Sequence, residues 1–171
     1  MCAALHTGEI DALGRLLVKP SNTRWLGTFA RDKIPELSHQ QRPCALVFNS
    51  DTSDKPGQHW LALYMSSSSK DIELFDSYGL PLSYYDLDFP FHVRSSSRSI
   101  QSVDTSVCGH YCIMFLLYRS SGHSFMTSIL QIENKFSDKT VASTVLELAS
   151  FTYHLSLNLY RYGQRSSIKQ T

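Results

Sequence analysis

Cys108 stands at the start of an apolar run, followed at once by Gly109 and then by Cys112-Ile113-Met114-Phe115, with Gln101 seven residues before it. The nucleophilic form of cysteine is the thiolate, and an ordinary thiol with a pKa of about 8.5 is mostly protonated at neutral pH. A nucleophilic cysteine therefore needs a helix N-terminus, a base, or both. If a helix begins at Cys108, its unpaired amides point at the sulfur and favour negative charge there. Gly109 has no side chain to hold a substrate carbonyl away from the backbone. His59 follows a Pro56-Gly57 turn and opens an apolar segment, so its imidazole belongs at a strand end, where it can take a thiol proton and return it to a leaving amine. Trp60 beside it is an aromatic that can pack in the core or shield the pair from water.

Asp76 closes the next candidate strand. A hairpin register that sets Leu61 opposite Leu74 and Leu63 opposite Ile72 also sets His59 opposite Asp76, so the acid can orient the imidazole and stabilise its charged form. Gln101 supplies a neutral amide that can donate to a developing oxyanion, with the backbone N–H of Cys108 as a second donor. Taken singly, each residue has an ordinary explanation: a buried inert thiol, a surface histidine, an exposed terminal acid, a loop amide.

The elements that must position these groups read as an α+β domain. Thr7 to Val18 has the spacing of a short amphipathic helix, with Thr7 able to cap it and Pro20 ending it. Trp25 to Phe29 is a packed loop or short strand. Cys44 to Phe48 is a buried strand, His59 to Met65 a second and Asp71 to Ser77 a third, joined by a hairpin turn at Ser66 to Lys70. These predict a small, mostly antiparallel central sheet. Ser83 to Ser99 is loop-rich, its serine run an exposed loop. Three helices follow, over Cys108 to Tyr118, Ser124 to Phe136 and Thr140 to Tyr162, the last carrying Val141, Val145, Leu148, Leu155 and Leu159. The helices flank the sheet, and Cys108 opens a buried one.

With 171 residues and 42% hydrophobic content, the chain has material for one full core, so residues 1–171 are expected to form a single domain. A net charge of +1 supplies no global attraction for nucleic acid or membrane surfaces, and the basic tail of Arg161, Arg165 and Lys169 reads as a solvated end. Cys2, Cys44, Cys108 and Cys112 lack the spacing of a secreted disulfide scaffold, and no leader sequence opens the chain, so an intracellular, reducing compartment is expected. No apolar run reaches membrane-spanning length.

The order His59-Trp60, Asp76, Gln101, Cys108-Gly109 resembles the cysteine-protease clan that contains the adenovirus maturation protease and the SUMO-specific proteases. Gln101-Ser102 ahead of Cys108-Gly109, Tyr111-Cys112 and Met114-Phe115, together with Leu26-Gly27-Thr28-Phe29 and Cys44-Ala45-Leu46-Val47 before His59, is more similar to the adenovirus branch. The resemblance covers roughly residues 7 to 125. It implies an adenain-like fold and a cysteine endopeptidase of viral or virus-like structural precursors, cleaving near small residues and glycine, in the virion and host nucleus if viral. In the roles it implies, Cys108 attacks, His59 moves the proton, Asp76 holds His59 and Gln101 stabilises the oxyanion. The chemistry needs no cofactor, and a monomer is expected.

The resemblance also brings an activating peptide and DNA stimulation, and here the sequence departs. Residues His92 to Ile100 contain no cysteine for a disulfide-linked activator, and the small net charge leaves DNA without an evident footprint. The acid is aspartate, as in the SUMO-protease branch, where many adenovirus enzymes carry glutamate. Three other readings stand beside the first: a deconjugating protease for a ubiquitin-like modifier, an inactive relative serving as a binding module, and a zinc site from Cys108, Cys112, His110 and His59. The last is opposed by helix geometry, because His110 points away from the face shared by Cys108 and Cys112.

Overall fold

A computed structural model describes residues 4–18 and 21–167, with side chains through residue 155 inside the last helix. The sequence readings at Cys2, Pro20, Leu159, Arg161, Arg165 and Lys169 lie outside the described residues or side chains. In chain order the elements are α1 (Thr7–Leu13), continued by a π-helical turn over Gly14–Val18, then β1 (Arg24–Ala30), β2 (Cys44–Asn49), β3 (Trp60–Met65) and β4 (Ile72–Phe75). They are followed by β5 (Val93–Ser95), α2 (Cys108–Ser120), α3 (Phe125–Lys135) and α4 (Asp138–Ser167).

The strands form one mixed sheet in the order β1-β2-β3-β4-β5. The inner pairs β2–β3 and β3–β4 are antiparallel as expected, whereas the edge strands β1 and β5 run parallel to their neighbours. Parallel neighbours need a crossover of about a dozen residues or more, and the segments 31–43 and 76–92 supply it. The Ser95 to Ser99 run is accordingly not simply an exposed loop: Ser95 ends β5, and Ser96 is buried.

Strands β2 and β3 read as nearly continuous apolar runs because both of their faces are covered, and β4 is apolar except for Glu73. Ala45, Val47, Ala62, Tyr64 and Phe75 face the helices, while Leu46, Phe48, Leu61, Leu63, Ile72 and Leu74 face a second core closed by loops, including Leu37 and Tyr85. Helix α2 is the centre of the helical layer, buried without a break from Cys108 to Leu116, with Phe115 stacked on Phe75 at 4.6 Å. Each large apolar side chain so buried contributes about 1.5–3 kcal/mol. At its far end Arg119 forms a two-pronged, buried ion pair with Glu73 of β4 and lies over the Tyr64 ring, 4.6 Å from its centroid. Of the apolar positions read in α4, Val141 and Val145 enter the core and Leu148 and Leu155 are exposed.

The helix start differs from expectation by one residue. His6 occupies the cap position and its backbone N–H donates to the Glu9 carboxylate at 2.8 Å, so Thr7 is the first helical residue.

Candidate active site

His59 immediately precedes β3, and the segment before it is pinned. Asn49 at the end of β2 accepts from the backbone amides of Asp51 (3.0 Å) and Gln58 (3.1 Å), and the Ser50 amide donates to the His59 carbonyl at 2.8 Å. The ring Nε2 of His59 meets Asp76 Oδ1 at 2.6 Å, both side chains being buried. This contact does not come from the expected register. The β3–β4 ladder pairs Leu63 with Leu74 and Ala62 with Phe75, two residues away from the expected pairing. Extended past the ladder, that register places His59 and Asp76 diagonally on the same face. A shift of two preserves the face of every side chain, and diagonal neighbours are within reach of a long ring.

Asp76 accepts four hydrogen bonds: from His59 and the Tyr78 amide (2.9 Å) on Oδ1, and from the Leu80 amide (2.9 Å) and the Tyr85 hydroxyl (2.7 Å) on Oδ2. Burial alone would raise its pKa, but the His59, Tyr85 and Tyr78 donors hold the carboxyl below the usual range. For His59, burial favours the neutral ring, yet the Asp76 hydrogen bond and the neighbouring Cys108 push its pKa up to about 9. Nδ1, the ring nitrogen that Asp76 does not hold, is buried without a hydrogen-bond partner of ordinary geometry. Tyr78 stacks on the imidazole at 4.5 Å and 22°, with Tyr85 behind at 6.1 Å.

Cys108 is the first residue of α2 and 8% exposed, against 0% for Cys44 and Cys112. Cys112 lies one turn on, its thiol directed to the Trp60 carbonyl, and burial pushes its pKa up. Gly109 packs closely on the N-terminal segment: a Cβ there would stand 3.1 Å from Ile10 and 3.3 Å from Leu5, tight enough that a neighbouring side chain would have to give. Trp60 likewise faces the helical layer, where its indole N–H donates to the Leu5 carbonyl at 3.0 Å.

Gln101 is 4% exposed and held at both ends of its amide: Oε1 accepts from the Ser77 hydroxyl at 2.7 Å, and Nε2 donates to the Thr105 carbonyl at 2.9 Å. Its backbone N–H also reaches the Ser77 carbonyl at 3.1 Å. Adjacent residues of one strand end thus hold the histidine and the glutamine. Gly79, just beyond, has φ +66° and lies so close to the next segment that a Cβ would sit 2.6 Å from the Arg98 carbonyl carbon. Only glycine fits there. The loop from Gln101 to Cys108 is braced by Asp138 at the start of α4, which accepts from the Ser102 amide (3.1 Å), the Thr105 hydroxyl (2.9 Å) and the Tyr111 hydroxyl (2.8 Å).

The four residues singled out in the sequence therefore gather at one end of the sheet. Their surroundings include a cleft of about 360 Å³ beside His59, lined by Arg31, Lys55, Gln58, Tyr78 and Tyr84. His110, by contrast, is buried with Glu9 as its nearest charge, and burial lowers its pKa. No group of three or more His, Cys, Asp or Glu side chains is arranged to hold a metal ion among the described residues.

No protein-family model matches the chain. The protease of porcine adenovirus A serotype 3 is 29% identical over 127 residues, covering 63% of this chain and 60% of that protein. The protease of snake adenovirus serotype 1 is 27% identical over 147 residues and 73% of each chain, and that of bovine adenovirus 2 is 25% identical over 54% of this chain and 53% of its own. The chain resembles the adenovirus proteases. It spans about 60% of the porcine adenovirus protease's length and about 53% of the bovine one's. Two crystal structures of an ASFV protease share the fold of this adenovirus-protease-like chain. Their TM-scores are 0.62 and 0.57 at 17% and 20% identity, each covering 86% of this chain and 68% of the other.

Sequence reasoning missed Tyr78, Tyr85, Ser77, Thr105 and Asp138. The Asp76-Ser77-Tyr78-Gly79 run carries a weak signal, a polar pair between a strand and a glycine. Asp138 carries none, since it lies 37 residues beyond Gln101 and only the docking of α4 brings it near.

Proposed function

We propose that this protein is a cysteine endopeptidase in which Cys108 attacks the scissile carbonyl and His59 serves as its proton carrier. The observation that carries the reading is a buried imidazole held at Nε2 by a saturated carboxylate, with Nδ1 uncommitted and a cysteine at a helix start beside it. In the forward step the S–C bond forms and the thiol proton passes to His59. His59 then delivers it to the leaving amine as the C–N bond breaks, and water hydrolyses the resulting thioester. Asp76 holds the ring in place and stabilises its charged form. The second hydrogen of the Gln101 amide, held only by long contacts of 3.4 Å, and the Cys108 backbone N–H receive the oxyanion.

The likeness to adenovirus proteases supports viral structural precursors as substrates, cut near glycine and other small residues. Because His92 to Ile100 hold no cysteine, any activating peptide is proposed to bind without a disulfide there. The test is hydrolysis of Gly-containing fluorogenic peptides by the wild type and by Cys108→Ala. The variant is expected to keep the circular dichroism spectrum and lose cleavage by at least about 10³-fold. Full activity in the variant would overturn the assignment.

A further inference from the structure

Three tyrosines point their hydroxyls toward the site, and two of them are committed. Tyr85 donates to Asp76 at 2.7 Å and Tyr111 to Asp138 at 2.8 Å. Tyr78 is different. Among the described residues its hydroxyl proton has no acceptor, and its only hydrogen bond is a long one received from Gln101 Nε2 at 3.4 Å. The residue is nonetheless fixed on three sides: its amide is bonded to Asp76, its ring is stacked on His59, and the next residue is the glycine wedged against Arg98. A buried or half-buried hydroxyl with a free proton and a rigid mount is a preorganised donor.

The position of that donor follows from the Gln101 amide. One Nε2 hydrogen is spent on the Thr105 carbonyl at 2.9 Å, so the second marks where an incoming oxygen is received. Tyr78 Oη stands 3.4 Å from the same nitrogen, next to that spot. Resting on the cysteine-protease reading, we propose that the Tyr78 hydroxyl is a further catalytic residue, donating to the oxyanion alongside the Gln101 amide and the Cys108 backbone N–H. When substrate arrives, the long Gln101–Tyr78 contact gives way to two donors converging on one oxygen. No proton is transferred in this role: the phenol shares its hydrogen with the oxyanion and keeps it when the carbonyl re-forms. Burial and the nearby Cys108, Asp76 and Asp138 charges raise the Tyr78 pKa and so keep the phenol protonated at neutral pH.

Tyr78→Phe removes the hydroxyl while leaving the stacked ring, which separates donation from support of His59. With Gly-containing peptides, kcat is expected to fall about 10²- to 10³-fold with KM nearly unchanged, as for loss of one oxyanion donor. A peptide aldehyde, whose thiohemiacetal oxygen occupies the same spot, should bind more weakly by a similar factor. Alkylation of Cys108 by iodoacetamide, which forms no oxyanion, should proceed at the wild-type rate. Equal kcat and aldehyde affinity in wild type and variant would overturn the proposal, as would a parallel loss of alkylation, which would place the hydroxyl's effect on the Cys108–His59 pair. A wild type that neither cleaves peptide nor is alkylated at Cys108 would instead overturn the protease reading, and this inference with it.

Discussion

Asp76 receives four donors on two oxygens, two on each, and its negative charge beside His59 is what an amide replacement cannot supply. Asp76→Asn keeps the size of the side chain but loses the charge that stabilises the imidazolium and must turn an NH₂ toward two of the former donors, the Leu80 amide and the Tyr85 hydroxyl if its oxygen keeps His59. The expected result is a fall of about 10²- to 10⁴-fold in kcat, measured on the same peptides, with the fold retained. The pair also leaves a signature in stability. His59 is raised from 6.5 to about 9, so its stabilising contribution is complete below about pH 6.5 and is lost as pH rises through about 9. Asp76 is lowered, so its contribution is present above the ordinary carboxylate value of 3.8 and is lost as pH falls below it. Thermal unfolding of the wild type and of His59→Gln from pH 4 to 10 checks this. The wild-type advantage should be greatest near pH 5 to 6 and shrink steadily toward pH 9.

At the scale of elements, the turn after β4 and the loop before α2 work as one unit, linked by Ser77 to Gln101 and closed from behind by Asp138 of α4. Asp138→Ala leaves the Tyr111 hydroxyl with only the long 3.4 Å contact to the Ile100 carbonyl, and takes a brace from the Thr105 hydroxyl, which keeps the Ser102 carbonyl at 2.9 Å, and from the exposed Ser102 amide. A buried group left short of its bond costs about 1–3 kcal/mol where water cannot replace it. We expect a lower Tm together with a kcat loss at nearly constant KM, because Thr105 carries the Gln101 amide. Denaturant unfolding and steady-state kinetics on one preparation measure both. How much of this unit can be read from sequence follows from the range of the interactions. His59, Asp76 and Cys108 stand out because each abuts a strand end or helix start that periodicity reveals, whereas Gln101 lies in a loop and is legible only from its place before Cys108 and the family resemblance. Ser77 and Tyr78 are hidden by ordinary turn composition, and Asp138 acts only through tertiary docking. The two-residue register error has the same origin: apolar pairing at Leu61, Leu63, Ile72 and Leu74 is satisfied equally in both registers, since both keep the same faces inward.

For the whole molecule, the sheet separates a helical layer from a loop-covered one, and the Glu73–Arg119 pair ties β4 to the far end of α2. Removing one partner strands a buried charge, so Arg119→Met is expected to cost about 3–5 kcal/mol. The double variant Glu73→Leu with Arg119→Met should recover much of that loss, and chemical denaturation of the three proteins measures the difference. Strands β2 and β3 were legible as nearly uninterrupted apolar runs and β4 from the apolar residues around Glu73, whereas β1 reads equally as a packed loop or a short strand and β5, only three residues long, carries no pattern of its own. The burial of α2 has a consequence for how the protein is made. A ribosome delivers His59 and Asp76 first, then Gln101, and only afterwards the helix that begins with Cys108 and fills the core. On the proposed cysteine-protease reading, the base and acid have no thiol to serve until that helix seats. Val141 and Val145 of α4 pack into the same core and Asp138 braces the loop before Cys108, so on that reading cleavage competence waits for α4 to dock as well.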